Sequence, residues 1–472
     1  MSTNLARWQF AITSIYHFFF VPITIGLSFL VALLQTAWHR SGDDEYRRLT
    51  RFFGTILLIN VAIGVVTGLV QEFEFGMNWS SYSAYVGNIF GGPLAMEGLL
   101  AFFLESTFLG IWIFGWGRLP KRAHLACIWL VAAGTTISAA FIMAANSWMQ
   151  HPVGYVMNAA NQPQLNDIWA LFTNPVFLWG YVHVLLASLV TGALVMLAIS
   201  AWHLRRQNHT DAFRRAATIS LVVLVPSAIL IVFVGSELGV IEAKYQPMKI
   251  AAAEAQWNTC QPCSFSLFQV GGKSPTDPTK VLKVPHGLSV LATNSWNGKV
   301  EGLTQLNAQY QQQYGPGNYI PNVFIQYWSM RLMAYLAALV ALFALWGIWL
   351  VHRKKLEQSR LFLTLGVWAV ATPFLMNAAG WMLTENGRQP WIVQGLMLTG
   401  KGVSPSVSAL DIWISLVAFV LVYIGLGVAD GYLMLKYGRK DLSDDAGHGS
   451  GHAGGGDGST TTEGADDMAL VY

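Results

Sequence analysis

Apolar residues in this chain come in long runs rather than in the periods of a water-soluble core. A transmembrane helix needs about 20 mostly apolar residues. Nine stretches qualify: roughly 10–38, 52–71, 94–116, 124–149, 168–202, 216–240, 327–351, 361–384 and 408–435. They lack the every-second-residue alternation of barrel strands, so they predict helices. The fifth is long enough to tilt strongly or to protrude from the bilayer. The expected fold is an all-α integral membrane protein with nine transmembrane helices.

Charge in the connecting segments gives the orientation. The first loop carries Arg40, Arg47, Arg48 and Arg51, the third Arg118, Lys121 and Arg122. The fifth carries Arg205, Arg206, Arg214 and Arg215, the seventh Arg353, Lys354, Lys355 and Arg360. The second (72–93) and fourth (150–167) hold no Lys or Arg. By the positive-inside rule the odd loops are cytoplasmic, the N-terminus is outside and the C-terminus inside. Lys436, Arg439 and Lys440 beyond the last span agree. The expected division is helices one to six in 1–240, an extracytoplasmic loop in 241–326, helices seven to nine in 327–436, and a disordered cytoplasmic tail in 437–472. The loop is polar and rich in Gly, Pro, Gln and Asn; loops this long are functional or disordered. It holds Cys260 and Cys263, for which a disulfide on the oxidising side is expected. Cys127, inside a span, reads as a small core residue. His448 and His452 belong to the low-complexity tail.

Composition sharpens this picture. Of 472 residues 54% are hydrophobic and 11% charged, against roughly 25% charged in soluble domains. The net charge of +3, with no basic cluster interleaved with aromatics, gives no sign of nucleic-acid binding. The first apolar run is too long for the core of a cleavable signal peptide. Three cysteines cannot build a disulfide framework.

A charge at the bilayer centre costs at least about 2.5–3.5 kcal/mol, so each intramembrane polar residue needs a reason. His17 lies near the outer end of the first span, Glu97 and Glu105 on the third, and His183 in the fifth. Arg331 and Met333 open the seventh, and Glu385 with Arg388 closes the eighth. The predicted topology puts nearly all of them in the outer half. Buried His with a Met and carboxylates form a ligand set for iron porphyrin, and Arg in the same layer could pair with propionates. A membrane Glu could equally serve as a proton relay or a transporter's ion site. The residues alone leave a redox or a transport protein.

Longer strings narrow the choice. Gln-Phe-Ala-Ile-Thr-Ser-Ile-Tyr-His17-Phe-Phe-Phe-Val-Pro and Gly-Pro-Leu-Ala-Met-Glu97-Gly-Leu-Leu-Ala-Phe-Phe-Leu-Glu105-Ser-Thr-Phe resemble the first and third helices of subunit I of cytochrome bd-type quinol oxidases. Asn146-Ser-Trp-Met-Gln, Tyr-Val-His183, Tyr-Trp-Ser-Met-Arg331-Leu-Met333 and Glu385-Asn-Gly-Arg388-Gln-Pro-Trp391 complete the set, over about residues 5–436. The resemblance implies that His183 and Met333 hold a low-spin heme b with Arg331 beside them. It implies that His17, Glu97 and Glu385 serve a high-spin heme b and a heme d (or a third heme b), with Arg388 and Trp391 in the cofactor-binding motif. It implies a proton path through Glu105 and Ser138. Gln-Pro-Met-Lys249-Ile-Ala-Ala-Ala-Glu254 resembles the quinol-binding segment of the Q-loop, here in its shorter form.

The function so implied is oxidation of quinol on the extracytoplasmic side and reduction of oxygen to water, generating a membrane potential without a proton pump. The implied setting is the bacterial cytoplasmic membrane, beside a homologous second subunit and small single-helix subunits. Two rivals stand beside it. A di-heme b electron relay would need two bis-His hemes, whereas only His17 and His183 lie clearly inside helices. A proton-coupled transporter using Glu97 and Glu105 would often show inverted repeats with broken helices, and none is evident. The topology is testable: an enzyme reporter active only outside the cytoplasm should be active when fused after Trp79 and silent after Arg122. The reverse pattern would invert every assignment of side.

Overall fold

The computed structural model describes residues 2–272 and 274–442; most of the expected tail, with His448 and His452, lies outside the described residues. The chain runs through α1 (Ser2–Ser41), α2 (Asp44–Met77), α3 (Ser80–Met96), a π-helical turn (Glu97–Phe102), α4 (Phe103–Phe114) and α5 (Lys121–Gln150). A short hairpin, β1 (Tyr155–Met157) with β2 (Pro163–Leu165), leads to α6 (Ile168–Phe172), α7 (Pro175–Arg205) and α8 (Thr210–Tyr245). The long loop holds α9 (Pro247–Ala253), the antiparallel pair β3 (Phe265–Gly271) and β4 (Pro278–Val284), α10 (Gly287–Thr293) and α11 (Leu303–Tyr314). Then come α12 (Val323–His352), α13 (Arg360–Ala369), α14 (Ala371–Arg388), the pair β5 (Trp391–Val393) and β6 (Met397–Leu398), α15 (Thr399–Gly402) and α16 (Ala409–Gly438). Among the described residues nine helical spans are long and apolar enough to cross a membrane, as the apolar runs predict.

Three departures from the sequence reading have local causes. The expected loop 72–93 is nearly all helix: α2 continues to Met77, and only Asn78 and Trp79 separate it from α3. Hydropathy falls at Gln71, but nothing in the following residues breaks the backbone ladder. The fifth run does not form one long tilted helix. Asn174 caps α7 by accepting from the Val176 N–H (3.0 Å), and Pro175 sits at its first position, where the missing donor is harmless. Residues 168–172 become a separate turn. The eighth span is interrupted at Val370, three residues before Pro373, which has no N–H to donate to the carbonyl of the preceding turn.

The largest apolar cluster gathers Leu27, Leu30, Phe53, Trp112, Val131, Leu194, Phe213, Leu224 and Phe362. These residues lie toward the ends of the spans that carry the Arg-rich loops. There α1 and α7 cross at backbone contact: a Cβ on Gly26 would lie 2.0 Å from the Ser188 carbonyl oxygen, and one on Gly192 2.5 Å from the Gly26 carbonyl carbon. Small residues permit such close crossings in membranes. His17, His183, Met333 and Glu385 lie toward the opposite ends of their helices, and Glu97 lies near the middle of its span, where α3 passes into the π-helical turn. The long loop is folded. Met248, Ala251, Ala252, Trp257, Leu303, Leu306, Tyr319 and Tyr327 form its own core with Trp391, and Cys260 and Cys263 are disulfide-bonded. Cys127 is free and buried.

Candidate functional site

α1 and α2 share a polar seam at the loop end. His17 Nδ1 lies 2.9 Å from Thr67 Oγ1, and the Thr67 hydroxyl donates to the Gly64 carbonyl (2.9 Å). With Nδ1 engaged by Thr67, Nε2 is the imidazole nitrogen left open as a candidate ligand. Gly68 faces the ring; a Cβ there would stand 3.2 Å from Cε1.

Glu97 opens the π-helical turn, one turn after Pro93. π-Turns inside helices frequently occur at functional sites. The Ser138 hydroxyl of α5 donates to Glu97 Oε1 (2.6 Å). The structure thus joins Ser138 to Glu97, whereas the sequence reading coupled it to Glu105. Glu105 sits on α4 where that helix presses on α5: a Cβ on Gly134 would be 3.0 Å from the Glu105 nitrogen.

His183 on α7 is half-buried, and its Nδ1 is enclosed with no hydrogen-bond partner. Gly235 of α8 clears space beside it; a Cβ there would lie 3.3 Å from the His183 Cε1. Met333 on α12 has Gly380 of α14 as a similar neighbour; a Cβ there would lie 3.3 Å from the Met333 sulfur. α8 packs against both α7 and α12, so the two candidate ligands stand on helices that share one neighbour.

Glu385 accepts from Asn146 Nδ2 (2.9 Å) and from Arg388 Nη2. Arg388 is buried, yet its Nε and Nη1 have no partner, and neither has the indole N–H of buried Trp391. Buried donors without acceptors are costly. This set therefore fits an anionic group, such as a carboxylate, that the protein itself does not supply.

The loop residues are not solvated charges. Lys249 is fully buried; its ammonium donates to Glu242 Oε1 (2.9 Å) and to Gln150 Oε1. Gln150 Nε2 in turn donates to Asn146 Oδ1 (2.8 Å). One hydrogen-bonded line therefore runs Glu242, Lys249, Gln150, Asn146, Glu385, Arg388. Lys249 does not pair with Glu254, its neighbour in the same segment. Glu254 accepts from Arg331 Nη2 (2.7 Å), and both are buried. The rest of the Arg331 guanidinium is taken by the Ser266 carbonyl (Nε 3.1 Å, Nη2 2.6 Å) and the Ala253 carbonyl. Arg331 is thus the clasp of the loop. Burial pushes the Glu254 carboxyl above the usual carboxylate range, with Arg331 and then Lys280 pulling the other way; its Oε1 has no partner.

Sequence reasoning missed Glu242, Thr67 and buried Glu74, and gave no role to Gln150 at the end of the Asn146 string. Thr67 is an ordinary polar residue at a span position, carrying no signal of its own. Glu242 and Glu74 were discoverable as acids at the ends of apolar runs. Among the described residues no group of three or more His, Cys, Asp or Glu could hold a bare metal ion.

The model of the family "Cytochrome bd terminal oxidase subunit I" matches residues 5–442. The chain is 42% identical to "Cytochrome bd ubiquinol oxidase subunit 1" of Bacillus subtilis, covering 94% of this chain and 95% of that one. It is 36% identical to "Cytochrome bd-II ubiquinol oxidase subunit 1" of Escherichia coli, covering 92% and 96%. Among solved structures it is similar to the bd oxidase from Geobacillus thermodenitrificans, with a TM-score of 0.84 at 29% identity over 93% of this chain and 98% of that one.

Removing one partner of a buried ion pair costs about 3–5 kcal/mol. Arg331→Met should therefore loosen the loop while the spans stay folded. Limited proteolysis read by mass spectrometry should show new cuts between residues 241 and 326. A loop as protected as the parent's would mean that the pair is not what holds it.

Proposed function

This chain belongs to the family of cytochrome bd terminal oxidase subunit I, and from that premise we propose that it is the heme-bearing subunit, oxidising quinol at the outer loop and holding the site of oxygen reduction among α1, α3, α5 and α14. Members of this family are terminal quinol oxidases, and the chain is a multi-pass bacterial membrane protein that works with a second subunit and carries heme. The finer reading is ours: N-terminus outside, spans in 1–240 and 327–436 around the 241–326 loop, and small single-helix subunits in addition to the second subunit. Quinol protons released outside and water protons drawn from the cytoplasm would generate a membrane potential without a pump.

The observation that carries the proposal is the orphaned donor set, Arg388 Nε and Nη1 with Trp391 Nε1, beside Glu385. Such donors suit a heme propionate. His183, with its unpartnered Nδ1, and Met333 would hold a low-spin heme b. His17 through Nε2, with Glu97 and Glu385, would serve the high-spin heme b and heme d (or a third heme b). These residues fit the group. When bound, the hemes carry electrons and hold oxygen while it is reduced.

The chain's own residues do the proton work. Glu254 offers a free acceptor oxygen and a proton affinity raised by burial, so it can take the proton of a quinol hydroxyl. Arg331 holds that carboxylate in place, and Lys249 keeps the neighbouring backbone turned toward α5. On the inner side Glu105 would receive protons from the cytoplasm, and the Ser138–Glu97 bond would continue the line outward.

Two outcomes follow. The purified protein should show heme absorption, and Met333→Leu, which changes volume little, should turn the low-spin signal high-spin and lower quinol oxidation sharply. An unchanged low-spin spectrum would remove the sulfur as a ligand. Quinol oxidation should also fall as the pH drops through the raised Glu254 titration, because the protonated acid cannot act as a base. Glu254→Gln should lower the rate and flatten that profile with all heme spectra intact; a parent-like profile would remove Glu254 from the site.

A further inference from the structure

Glu74 is fully buried near the loop end of α2 and has no part in the proton work described above. Its Oε2 lies 2.6 Å from Thr13 Oγ1 on α1, and its Oε1 is enclosed without a partner. Among the described residues no Lys or Arg forms an ion pair with it. Its surroundings are largely neutral. Asn78 and Gln9 close the outer side, Gln9 Nε2 donating to Ser415 Oγ (2.9 Å). Inward lie the bonded pair His17 and Thr67, and Tyr423 of α16, whose hydroxyl reaches the Thr67 carbonyl (3.4 Å) and whose ring stacks on Tyr16 (4.4 Å). Asp430 lies further along α16, toward the opposite end, and Glu72, on α2 itself, is exposed.

Proton bookkeeping decides the state of Glu74. Thr13 owns one hydroxyl proton, with three acceptors in reach: the Gln9 carbonyl (3.1 Å), the Phe10 carbonyl (3.0 Å) and Glu74 Oε2 (2.6 Å). If Glu74 were a carboxylate, that proton would have to face it. The anion would still keep one bare oxygen in a buried, cation-free enclosure, which is a severe penalty. If Glu74 is neutral, its own hydroxyl donates to Thr13 and the Thr13 proton goes to the helix carbonyls. Every proton then has an acceptor, and 2.6 Å is an ordinary length for an O–H···O bond of this kind.

We propose that Glu74 is a permanently protonated carboxylic acid that acts as a hydrogen-bond donor to Thr13, a positioning residue for His17. Thr13 and His17 are four residues apart and share a face of α1; Glu74 and Thr67 are seven apart and share a face of α2. The two rungs, Glu74 to Thr13 and His17 to Thr67, fix the rotation of α1 against α2, and with it the direction of Nε2. Neutrality matters as much as geometry, because it keeps a negative charge away from the iron group that His17 would hold. The consequence for the iron rests on the reading of His17 as a ligand; the protonation does not.

The experiment uses the full complex. Its infrared spectrum should contain the carbonyl stretch of a protonated carboxylic acid that disappears in Glu74→Gln and keeps its intensity across the neutral pH range. Glu74→Gln, whose amide can still donate to Thr13, should retain parent-like visible and EPR signals of the high-spin heme. Glu74→Leu should shift or lose them, and Thr13→Val should follow Glu74→Leu. No missing acid band in Glu74→Gln would mean that Glu74 is a carboxylate and would overturn the proposal. So would a Glu74→Gln variant as perturbed as Glu74→Leu. If His17→Ala left every heme signal unchanged, the ligand reading of His17 would fail instead, with the infrared result still deciding the protonation of Glu74.

Discussion

The hydrogen-bonded line from Glu242 through Lys249, Gln150 and Asn146 to Glu385 and Arg388 is the constraint on which the site end depends. In a low-dielectric layer an unpaired charge is expelled or neutralised, whereas a charge in a satisfied network can stay. This line lets a lysine be fully buried at the membrane face. It also ties the loop helix α9 to the end of α5 and the end of α14. Because the same residues link the loop to Glu385, any shift of α9 is felt at Glu385 without passing through the apolar core.

The division of labour along the membrane normal follows from the same physics. One end of the bundle is dry and close-packed, with α1 and α7 in backbone contact at Gly26 and Gly192. The other end carries the histidines, the methionine and the carboxylates. A close-packed half holds the helix axes, so that the other half can keep glycine-lined clearances beside the candidate ligands. Gly68, Gly235 and Gly380 sit opposite His17, His183 and Met333, and each would crowd its neighbour if it carried a side chain.

The buried acids of the site end are handled in different ways. Glu254 is held by an arginine that is itself saturated by carbonyls. Glu385 shares an arginine and an asparagine, Glu97 takes a serine hydroxyl, and Glu74 keeps its proton. These states suit the different tasks proposed for them: base, cofactor neighbour, relay and donor.

The primary sequence alone determined the nine spans, because apolar length and loop charge are properties of composition along a line. It also located every candidate ligand, since a polar residue in an apolar run stands out. What it could not determine was pairing. That Lys249 answers Glu242 rather than Glu254, that Ser138 answers Glu97 rather than Glu105, and that Arg331 clasps the loop all depend on which helix faces are brought together. Periodicity does not encode that. The run from Gln71 to Met77 looked like loop because hydropathy falls at Gln71, and it is helix because nothing in it breaks the backbone ladder and Glu74 is buried against α1. Tertiary structure decided these points because the partner that satisfies a buried polar group lies from seven to 78 residues away.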